Sequence, residues 1–509
     1  MDRDIVIGSG PAGIAVALAR LEKGRPVLIL DGGRELEPEA EARRAAFVAE
    51  VGDGLPDARQ SEAWRSPQYS TPPGQARRYG SDFAMETASD TLCGGDEIGL
   101  RASRAAGGLS NLWGSAMLPW RPEDIANWPV SHEDLAASWR ALARHVPISG
   151  TNDALAPLFP GMDMSGANPL KPGSQIALLL ARANARRAAL AADGVVIGQS
   201  RVAVDAACRR CGLCLHGCPW QQIWSARHTL DKLRGDPRVT YEAAPVAAIS
   251  ETDTGAVAHL ADGGTRAGAR LFLAAGVLES ARIVLASPGA PDGLTLRDSS
   301  YAFLPALQPA FPRPAPDRLP LHTLPQAFVE MAGQGGAPSV HAQIYAWNEF
   351  YIRDLMENYG FGLPPLRLPL GIMARHLIVA QMFLHSDLSH AITLTRAADG
   401  RLTPRIARNP GTQAAMASQT GRLARALRRT GLVPLRFATR TAPVGASFHV
   451  GASLPMSSAP RGSQTDVLGR PAGAARLHVV DASVLPAVPA TTITFGVMGN
   501  AHRIGRATP

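Results

Sequence analysis

A glycine-rich turn near the N-terminus constrains the fold more than any other feature of this sequence. Residues 4–7 (DIVI) form an apolar run typical of a buried strand, residues 8–13 (GSGPAG) follow at once, and an alanine-rich helical pattern continues to Leu21. In a strand–turn–helix unit such glycines allow a tight turn, close approach of the backbone to a pyrophosphate and close packing of helix on strand. The segment therefore predicts a dinucleotide site, with these contacts: Gly8, Gly10, Pro11, Ala12 and Gly13.

A second strand and an acidic residue support this interpretation. Residues 26–30 (PVLIL) read as a strand, and Asp31 lies 18 residues beyond Gly13, where a carboxylate can accept the ribose hydroxyl groups. Gly32 follows and is expected to adjoin the same ligand. The alternative, a glycine turn without a ligand, does not account for this order of strand, helix and carboxylate. NAD and FAD share the pattern, so these residues alone do not choose between them.

Composition limits the class of protein. At 509 residues the chain is too long for one hydrophobic core, which predicts about two to four domains. With 46% hydrophobic and 18% charged residues, the chain is neither disordered nor fibrous. The net charge of +8 is spread without a basic stripe interleaved with aromatic residues, so we expect no nucleic-acid partner.

The sequence also bears on the compartment. The segment MDRDIVIGSG has no charged region followed by a cleavable apolar stretch, and no window of about 20 uncharged apolar residues occurs in the chain. Four of the five cysteines fall within residues 208–218, which does not suit a secreted disulfide framework. We therefore expect a cytoplasmic protein without a transmembrane segment.

The clustered cysteines have a metal-ligand spacing. The run C-x2-C-x2-C-x3-C-P resembles that of bacterial ferredoxins, in which short loops curl around an iron–sulfur cluster. This spacing predicts a 4Fe-4S or 3Fe-4S cluster bound by Cys208, Cys211, Cys214 and Cys218. A remote ligand in place of Cys218 is the other arrangement, and Cys93 is the one candidate for it. Tetrahedral zinc, which usually takes two C-x2-C units across a longer loop, and unmetallated thiols are the alternatives.

Four further segments resemble the glucose-methanol-choline (GMC) family of FAD-dependent oxidoreductases. Residues 447–456 (SFHVGASLPM) and 478–486 (HVVDASVLP) are similar to its C-terminal signature. Residues 271–287 (LFLAAGVLESARIVLAS) are similar to its Ala-Gly turn, and residues 107–114 (GGLSNLWG) to its Gly-Gly loop over the isoalloxazine. The resemblance extends over the whole chain, although residues 295–440 match only in outline.

The resemblance implies FAD as cofactor and an α/β fold. A Rossmann-like FAD-binding domain would be interleaved with an α+β substrate-binding or cap domain that contains an antiparallel sheet. The expected FAD-binding segments are 1–130, 200–292 and 440–509, with a cysteine-rich insertion at 205–225, and the expected cap segments are 131–199 and 293–439. Residues 376–386 and 390–396 predict strands of the cap sheet, residues 412–429 predict a helix outside it, and the proline-rich residues 293–325 predict a covering loop or boundary.

The resemblance also assigns cofactor contacts. Leu112 stands where some relatives attach FAD covalently through a histidine, so we predict noncovalent FAD. Val246 stands where the family contacts adenine. The full set implied here comprises Gly107, Gly108, Asn111, Leu112, Val246, Ala275, Asp481, Ala482 and Thr492.

The expected chemistry is oxidation of an alcohol or sugar hydroxyl group by hydride transfer to flavin N5. Such a reaction needs a base for the hydroxyl proton, and the seven-residue step from His449 to Met456 is the family's own, which makes His449 the predicted base. Thr492 stands where relatives carry a second histidine or asparagine, and a threonine hydroxyl is a poor base. Electrons would leave through the iron–sulfur cluster to an external one-electron acceptor. The alternatives are a redox-silent lyase and an electron-relay subunit of the same fold.

Overall fold

The computed structural model describes residues 3–66, 77–85, 91–309, 321–348 and 373–509. Its strands are β1 (Asp4–Ile7), β2 (Val27–Asp31), β3 (Val195–Gln199), β4 (Val239–Ala243), β5 (Val246–Glu251), β6 (Ala256–Leu260), β7 (Thr265–Gly268), β8 (Leu271–Leu273), β9 (Leu294–Asp298), β10 (Tyr301–Leu307), β11 (Ala327–Met331), β12 (Val340–Tyr345), β13 (Leu377–Phe383), β14 (Ala391–Arg396), β15 (Leu402–Ala407), β16 (Val433–Pro434), β17 (Arg440–Thr441), β18 (Val450–Gly451) and β19 (Leu477–Val479). Its α-helices are α1 (Pro11–Glu22), α2 (Pro38–Val51), α3 (Ala58–Arg65), α4 (His132–Leu142), α5 (Ser174–Ala185), α6 (Arg187–Ala192), α7 (Ala226–Leu233), α8 (Val277–Leu285), α9 (Thr412–Arg429) and α10 (Thr494–Ala507).

A parallel sheet carries the predicted dinucleotide unit. Its strand order is β19-β8-β1-β2-β4, and β1 and β2 are buried along their whole length, which explains their unbroken apolar sequences. The predicted strand at residues 4–7 and the predicted helix are confirmed as β1 and α1. The second predicted strand begins one residue later, as β2. Pro26 has no N–H to donate, and only its carbonyl pairs, accepting from the Asp4 N–H at 2.9 Å.

The first and last helices are locked together. α1 packs against α10, and a Cβ built on Gly505 would lie 2.8 Å from the Ala19 Cβ, so the two helices approach closely. The buried Arg20 guanidinium pairs with Asp4 at 2.8 Å and also donates to the carbonyls of Gly505 (2.8 Å) and Thr508 (2.7 Å). The C-terminal helix is therefore an integral part of the core around the parallel sheet.

An antiparallel sheet forms the second layer, in the order β16-β10-β13-β12-β11-β3 with β17 also paired to β10. One face is apolar and packs against α5 and α9 in a continuous hydrophobic cluster. β13 confirms the strand predicted within residues 376–386, and α9 confirms the helix predicted at residues 412–429. Together the parallel and antiparallel sheets confirm the predicted α/β fold class.

Two local expectations were wrong. Residues 390–396 form β14, but this strand belongs to a separate sheet, β15-β14-β9-β18, because a turn at Ser386–Leu388 redirects the chain and is held by the Ser386 N–H on the Val488 carbonyl at 2.9 Å. The proline-rich segment contains β9 and β10 rather than only a covering loop. Pro305 lies within β10, where its carbonyl accepts from the Leu435 N–H at 2.8 Å. Residues 310–320 of that segment lie outside the described residues.

Over the described part of the chain, no helix combines the length and the apolar character needed to cross a lipid bilayer.

Candidate cofactor and active site

The glycine turn has the geometry that its sequence predicts. Gly8 has a φ of +97°, and a Cβ there would lie 2.4 Å from the Ala274 carbonyl oxygen. A Cβ on Gly13 would lie 1.9 Å from the Gly8 carbonyl oxygen, so this glycine is required by the contact of helix with turn. Gly10 faces open space at the N-terminus of α1. The unpaired amides and positive dipole of that terminus are therefore accessible to an anionic group such as a pyrophosphate.

Asp31 is braced by the turn that it faces. Its Oδ2 accepts hydrogen bonds from the N–H and the hydroxyl of Ser9, both at 2.7 Å, and its Oδ1 accepts from the Gly33 N–H at 2.8 Å. The Ser9 hydroxyl also accepts from the Gly107 N–H at 2.9 Å, which ties the Gly-Gly loop to the turn. Burial raises the pKa of Asp31. Sequence reasoning missed Ser9, whose one signal was its position between two glycines next to an acidic strand end.

Two adjoining cavities meet at the glycine turn and have Gly8, Asp31 and Ala275 in common. The first, of about 200 Å³, brings together these predicted residues: Gly8, Gly10, Pro11, Ala12, Asp31, Gly108, Ala275, Asp481 and Ala482. The second, of about 470 Å³, brings together Gly8, Asp31, Gly32, Val246 and Ala275. The predicted residues that are not part of either lining are Gly13, Gly107, Asn111, Leu112, His449 and Thr492. An elongated space that runs past a glycine turn and a carboxylate fits an extended dinucleotide.

The Gly-Gly loop lies directly over the turn. Gly107 and Gly108 have φ values of +89° and +60°, and a Cβ on Gly108 would lie 3.4 Å from the Gly10 Cα. The Asn111 side-chain amide donates to two carbonyls of its own loop, at 2.8 and 3.0 Å. Leu112 packs in a small hydrophobic cluster beneath. Asn111 and Leu112 therefore shape the loop, while the glycines permit its close approach to the turn.

Asp481 supports the Ala-Gly turn rather than facing the cavity with a free carboxylate. Its Oδ2 accepts from the Gly276 N–H at 2.9 Å and the Ser280 hydroxyl at 2.5 Å, and its Oδ1 accepts from the Ser483 N–H at 2.9 Å. Burial raises the pKa of Asp481. The aspartate thereby fixes Ala275 at the point where the two cavities meet.

Sequence reasoning missed two further parts of the lining. Residues 100–103, which precede the Gly-Gly loop, line the first cavity, as do Ile493, Thr494 and Val497 around the start of α10. Ile493, Thr494 and Val497 lie one to five residues beyond Thr492. The alignment of the last helix therefore predicted the right region of the chain but not the side chains that reach the cavity. Nothing in the composition of residues 100–103 distinguished them.

His449 packs inward against the antiparallel sheet. Its imidazole stacks on the Phe383 ring with centroids 4.6 Å apart and an interplanar angle of 24°, while the neighbouring residues Phe448 and Val450 line the first cavity. The buried Nδ1 has no hydrogen-bond partner among the described residues. Burial, reinforced by nearby His341, lowers the pKa of His449 to about 3. The imidazole is therefore neutral at pH 7 and has a ring nitrogen available to accept a hydrogen bond.

Thr492 is buried beside the cavity, with a hydroxyl that has no hydrogen-bond partner among the described residues. Its neighbour Ile493 lines the first cavity, but Thr492 itself does not. The position remains a predicted contact.

The four clustered cysteines are free thiols around Leu321 and Thr323. Burial raises the pKa of Cys208 to about 12 and that of Cys218 to about 11, and it also raises the pKa values of Cys211 and Cys214. Within the segments that the structure describes, no group of three or more His, Cys, Asp or Glu side chains is arranged to hold a metal ion. The arrangement of these thiols therefore does not support the predicted iron–sulfur cluster.

The fifth cysteine does not complete that group. Cys93 pairs its N–H with the Leu402 carbonyl at 2.8 Å, and its sulfur lies 3.8 Å from an Arg401 nitrogen. The groups that shift the pKa values of the other four thiols do not include Cys93. The described structure thus gives no support to Cys93 as a remote ligand.

The arrangement of the parallel and antiparallel sheets over the whole chain is that of a solved structure. The solved structure of pyridoxine 4-oxidase from Mesorbium loti matches this chain with a TM-score of 0.59 at 15% sequence identity, covering 99% of each chain. No family model and no curated protein matches the sequence. At this identity the match establishes the fold and leaves the activity to be inferred from the site.

Proposed function

We propose that this chain binds FAD noncovalently and oxidises a hydroxyl group of an alcohol or sugar. The observation that carries the proposal is the pair of adjoining cavities around Gly8 and Asp31, with the neutral imidazole of His449 beside the first. The matched solved protein is named as an oxidase of pyridoxine, a molecule with hydroxyl groups, and this agrees with the proposal. The cap over the site would comprise residues 131–199 and 293–439.

The proposed roles follow from the shape and chemistry of the site. Val246 and Asp31 would hold the adenosine part in the larger cavity, the N-terminus of α1 the pyrophosphate, and Gly108 the ring system. Bound FAD supplies the acceptor for a hydride from the substrate carbon. His449 would accept the hydroxyl proton at a ring nitrogen, for which its neutral state is the competent one. Leu112 offers no nucleophile for a covalent flavin link.

The decisive experiment is an anaerobic absorbance spectrum of the FAD-loaded protein before and after addition of a panel of sugars and alcohols. A substrate is expected to bleach the flavin band in the wild-type protein. His449→Gln is expected to keep bound FAD and to slow bleaching by about 100-fold or more, the usual range for loss of a general base. His502→Gln is the control, because His502 lies on α10 with its Nδ1 3.1 Å from the Ser138 hydroxyl and lines neither cavity. Wild-type bleaching in His449→Gln would refute the assignment.

Two other functions fit the same fold and are separated by the same assay. A redox-silent lyase would bind FAD and show no bleaching with any alcohol under argon. An electron-relay subunit would transfer electrons from a partner whether or not residue 449 is histidine. The buried Nδ1 of His449 has no hydrogen-bond partner among the described residues. This favours the oxidoreductase, because an electron-relay subunit does not need a base at that place.

The iron–sulfur cluster is a separate proposal that rests on the cysteine spacing. One feature consistent with it is the donation of peptide N–H groups to the sulfurs, such as Gln222 to Cys218 at 3.3 Å. No electron-transfer step is assigned to it, because the described thiols are not arranged as a metal site. Iron and acid-labile sulfide assays on protein purified without oxygen test the proposal. Near-zero iron in every preparation would mean that the thiols bind no cluster. Electrons would then have to pass directly from the flavin to an external acceptor.

A further inference from the structure

The face of the antiparallel sheet that points away from α5 and α9 carries a row of polar and aromatic side chains. Residues directly opposite each other on paired strands point to the same face. Glu330 on β11 pairs with His341 on β12, His341 pairs with Phe383 on β13, and Phe383 pairs with Tyr301 on β10. Four neighbouring strands thus line up an acid, an imidazole and two rings, and His449 stacks on the third member of this row.

His341 is held by a buried carboxylate. Its Nδ1 lies 2.6 Å from the Glu330 Oε1, and both side chains are 1% exposed. The other oxygen of Glu330 lies 3.7 Å from Arg121, which itself pairs with Asp124 at 2.9 Å. Such a carboxylate orients the ring. The opposite ring nitrogen, Nε2, is buried and has no hydrogen-bond partner among the described residues.

The two imidazoles share one aromatic neighbour. The Phe383 ring lies 4.6 Å from the His449 ring and 6.3 Å from the His341 ring, measured between centroids. His341 also acts electrostatically on His449, which is evidence that the rings are close. Each ring has one buried nitrogen without a hydrogen-bond partner among the described residues, and burying such an atom unpaired is unfavourable. Two of them beside a candidate active site indicate a polar guest.

We propose that His341 is a second catalytic imidazole, resting on the alcohol oxidation proposed above: its Nε2–H donates to the substrate hydroxyl oxygen while His449 accepts the hydroxyl proton. In that step the O–H bond breaks and its proton passes to His449. The carbon-bound hydrogen leaves with its electron pair to the FAD, and the carbon–oxygen double bond forms. This donation stabilises the negative charge that develops on the oxygen, and the Glu330 carboxylate orients the ring that makes it.

The kinetic test is anaerobic stopped-flow reduction of bound FAD by the alcohol that bleaches it fastest. His341→Gln, which keeps much of the side-chain volume, is expected to slow reduction by about 100-fold with FAD still bound. Glu330→Gln is expected to slow it by about 10-fold, because the ring keeps its place but loses the carboxylate that orients it. His502→Gln is the matched control, since His502 also faces a carboxylate, 3.4 Å from Glu22. Reduction at the wild-type rate in His341→Gln would overturn the proposal.

A second measurement needs no substrate. Protein labelled with ¹⁵N only in histidine gives ring-nitrogen NMR signals, and the His449 signals are identified by their loss in His449→Gln. His341→Gln is expected to shift them, because His341 acts electrostatically on His449 and both rings lie against Phe383, whereas His502→Gln is expected to leave them in place. Unchanged His449 signals in His341→Gln, with or without a lower melting temperature, would mean that His341 only braces the sheet. If no alcohol bleaches the wild-type flavin, the proposed oxidation fails, and this measurement still decides whether the two imidazoles interact.

Discussion

Replacing Gly10 with alanine is expected to separate cofactor binding from folding. A Cβ on Gly10 meets no atom within 4 Å, and the residue has a φ of −64°, which any L-amino acid adopts. Alanine lowers the entropy of the unfolded chain, which stabilises the fold by about 0.4–1 kcal/mol. It is also a poorer N-cap than glycine, by a comparable amount. The free energy of unfolding of the FAD-free protein should therefore change by less than about 0.5 kcal/mol.

FAD affinity should respond differently to the same methyl group. Gly10 faces the first cavity at the helix N-terminus, where the proposed pyrophosphate approaches the backbone. A methyl group there acts as overpacking, which costs about 1–3 kcal/mol and corresponds to about a 5- to 150-fold weaker Kd. Calorimetric titration of FAD into the apoprotein measures this, with Gly166→Ala as control, since its Cβ also meets nothing within 4 Å. Unchanged FAD affinity in Gly10→Ala would refute a phosphate site at this turn.

Three further substitutions test packing and charge in the fold. Burial lowers the pKa of His478 to about 4 from 6.5, so the unfolded chain binds a proton that the native state excludes, and stability falls as the pH drops from about 6.5 toward 4. Between pH 7 and pH 5 this histidine should lower the free energy of unfolding of the wild-type protein by about 2 kcal/mol. His478→Gln should abolish that part of the fall, and urea unfolding at the two pH values measures it. A Cβ on Gly496 would lie 2.1 Å from the Trp120 ring, so Gly496→Ala should destabilise the protein by at least about 2 kcal/mol. In α9, a Cβ on Gly421 would have no atom nearer than 3.8 Å, so Gly421→Ala should stabilise the protein by up to about 1 kcal/mol. Equal melting temperatures for the two glycine variants would contradict the close packing of α10 on Trp120.

The parts of the fold that local sequence specifies could be predicted. The strand, turn and helix at residues 4–22 are contiguous, Gly8 and Gly13 are required by contacts within that unit or with Ala274 just after β8, and Gly10 leaves the helix N-terminus open, so pattern and spacing were sufficient. Val246, Ala275 and Asp481 come from distant parts of the chain, and they could be associated with the site only through the family resemblance. That resemblance did not include Ser9, whose hydroxyl connects Asp31 to the Gly-Gly loop.

The substrate side was predicted less well, for a physical reason. Its polar face arises from strand pairing between residues separated by tens of positions, such as His341 with Phe383, and register is not visible in one strand alone. A signal was present in β12, where VHAQIY alternates apolar residues with His341, Gln343 and Tyr345. The assignment of β14 to the cap sheet failed because strand propensity does not specify the partner strand.

The packing of α1 against α10 has a consequence for the folding of the chain during synthesis. The central strand β1 acquires its neighbour β8 only after some 270 residues have been synthesised, and α1 is covered only when the last helix arrives. Contacts so distant in sequence close slowly and leave apolar surface exposed during synthesis. In a nascent chain the apolar face of α1 that packs on α10 would therefore stay exposed until residues 494–507 have been synthesised.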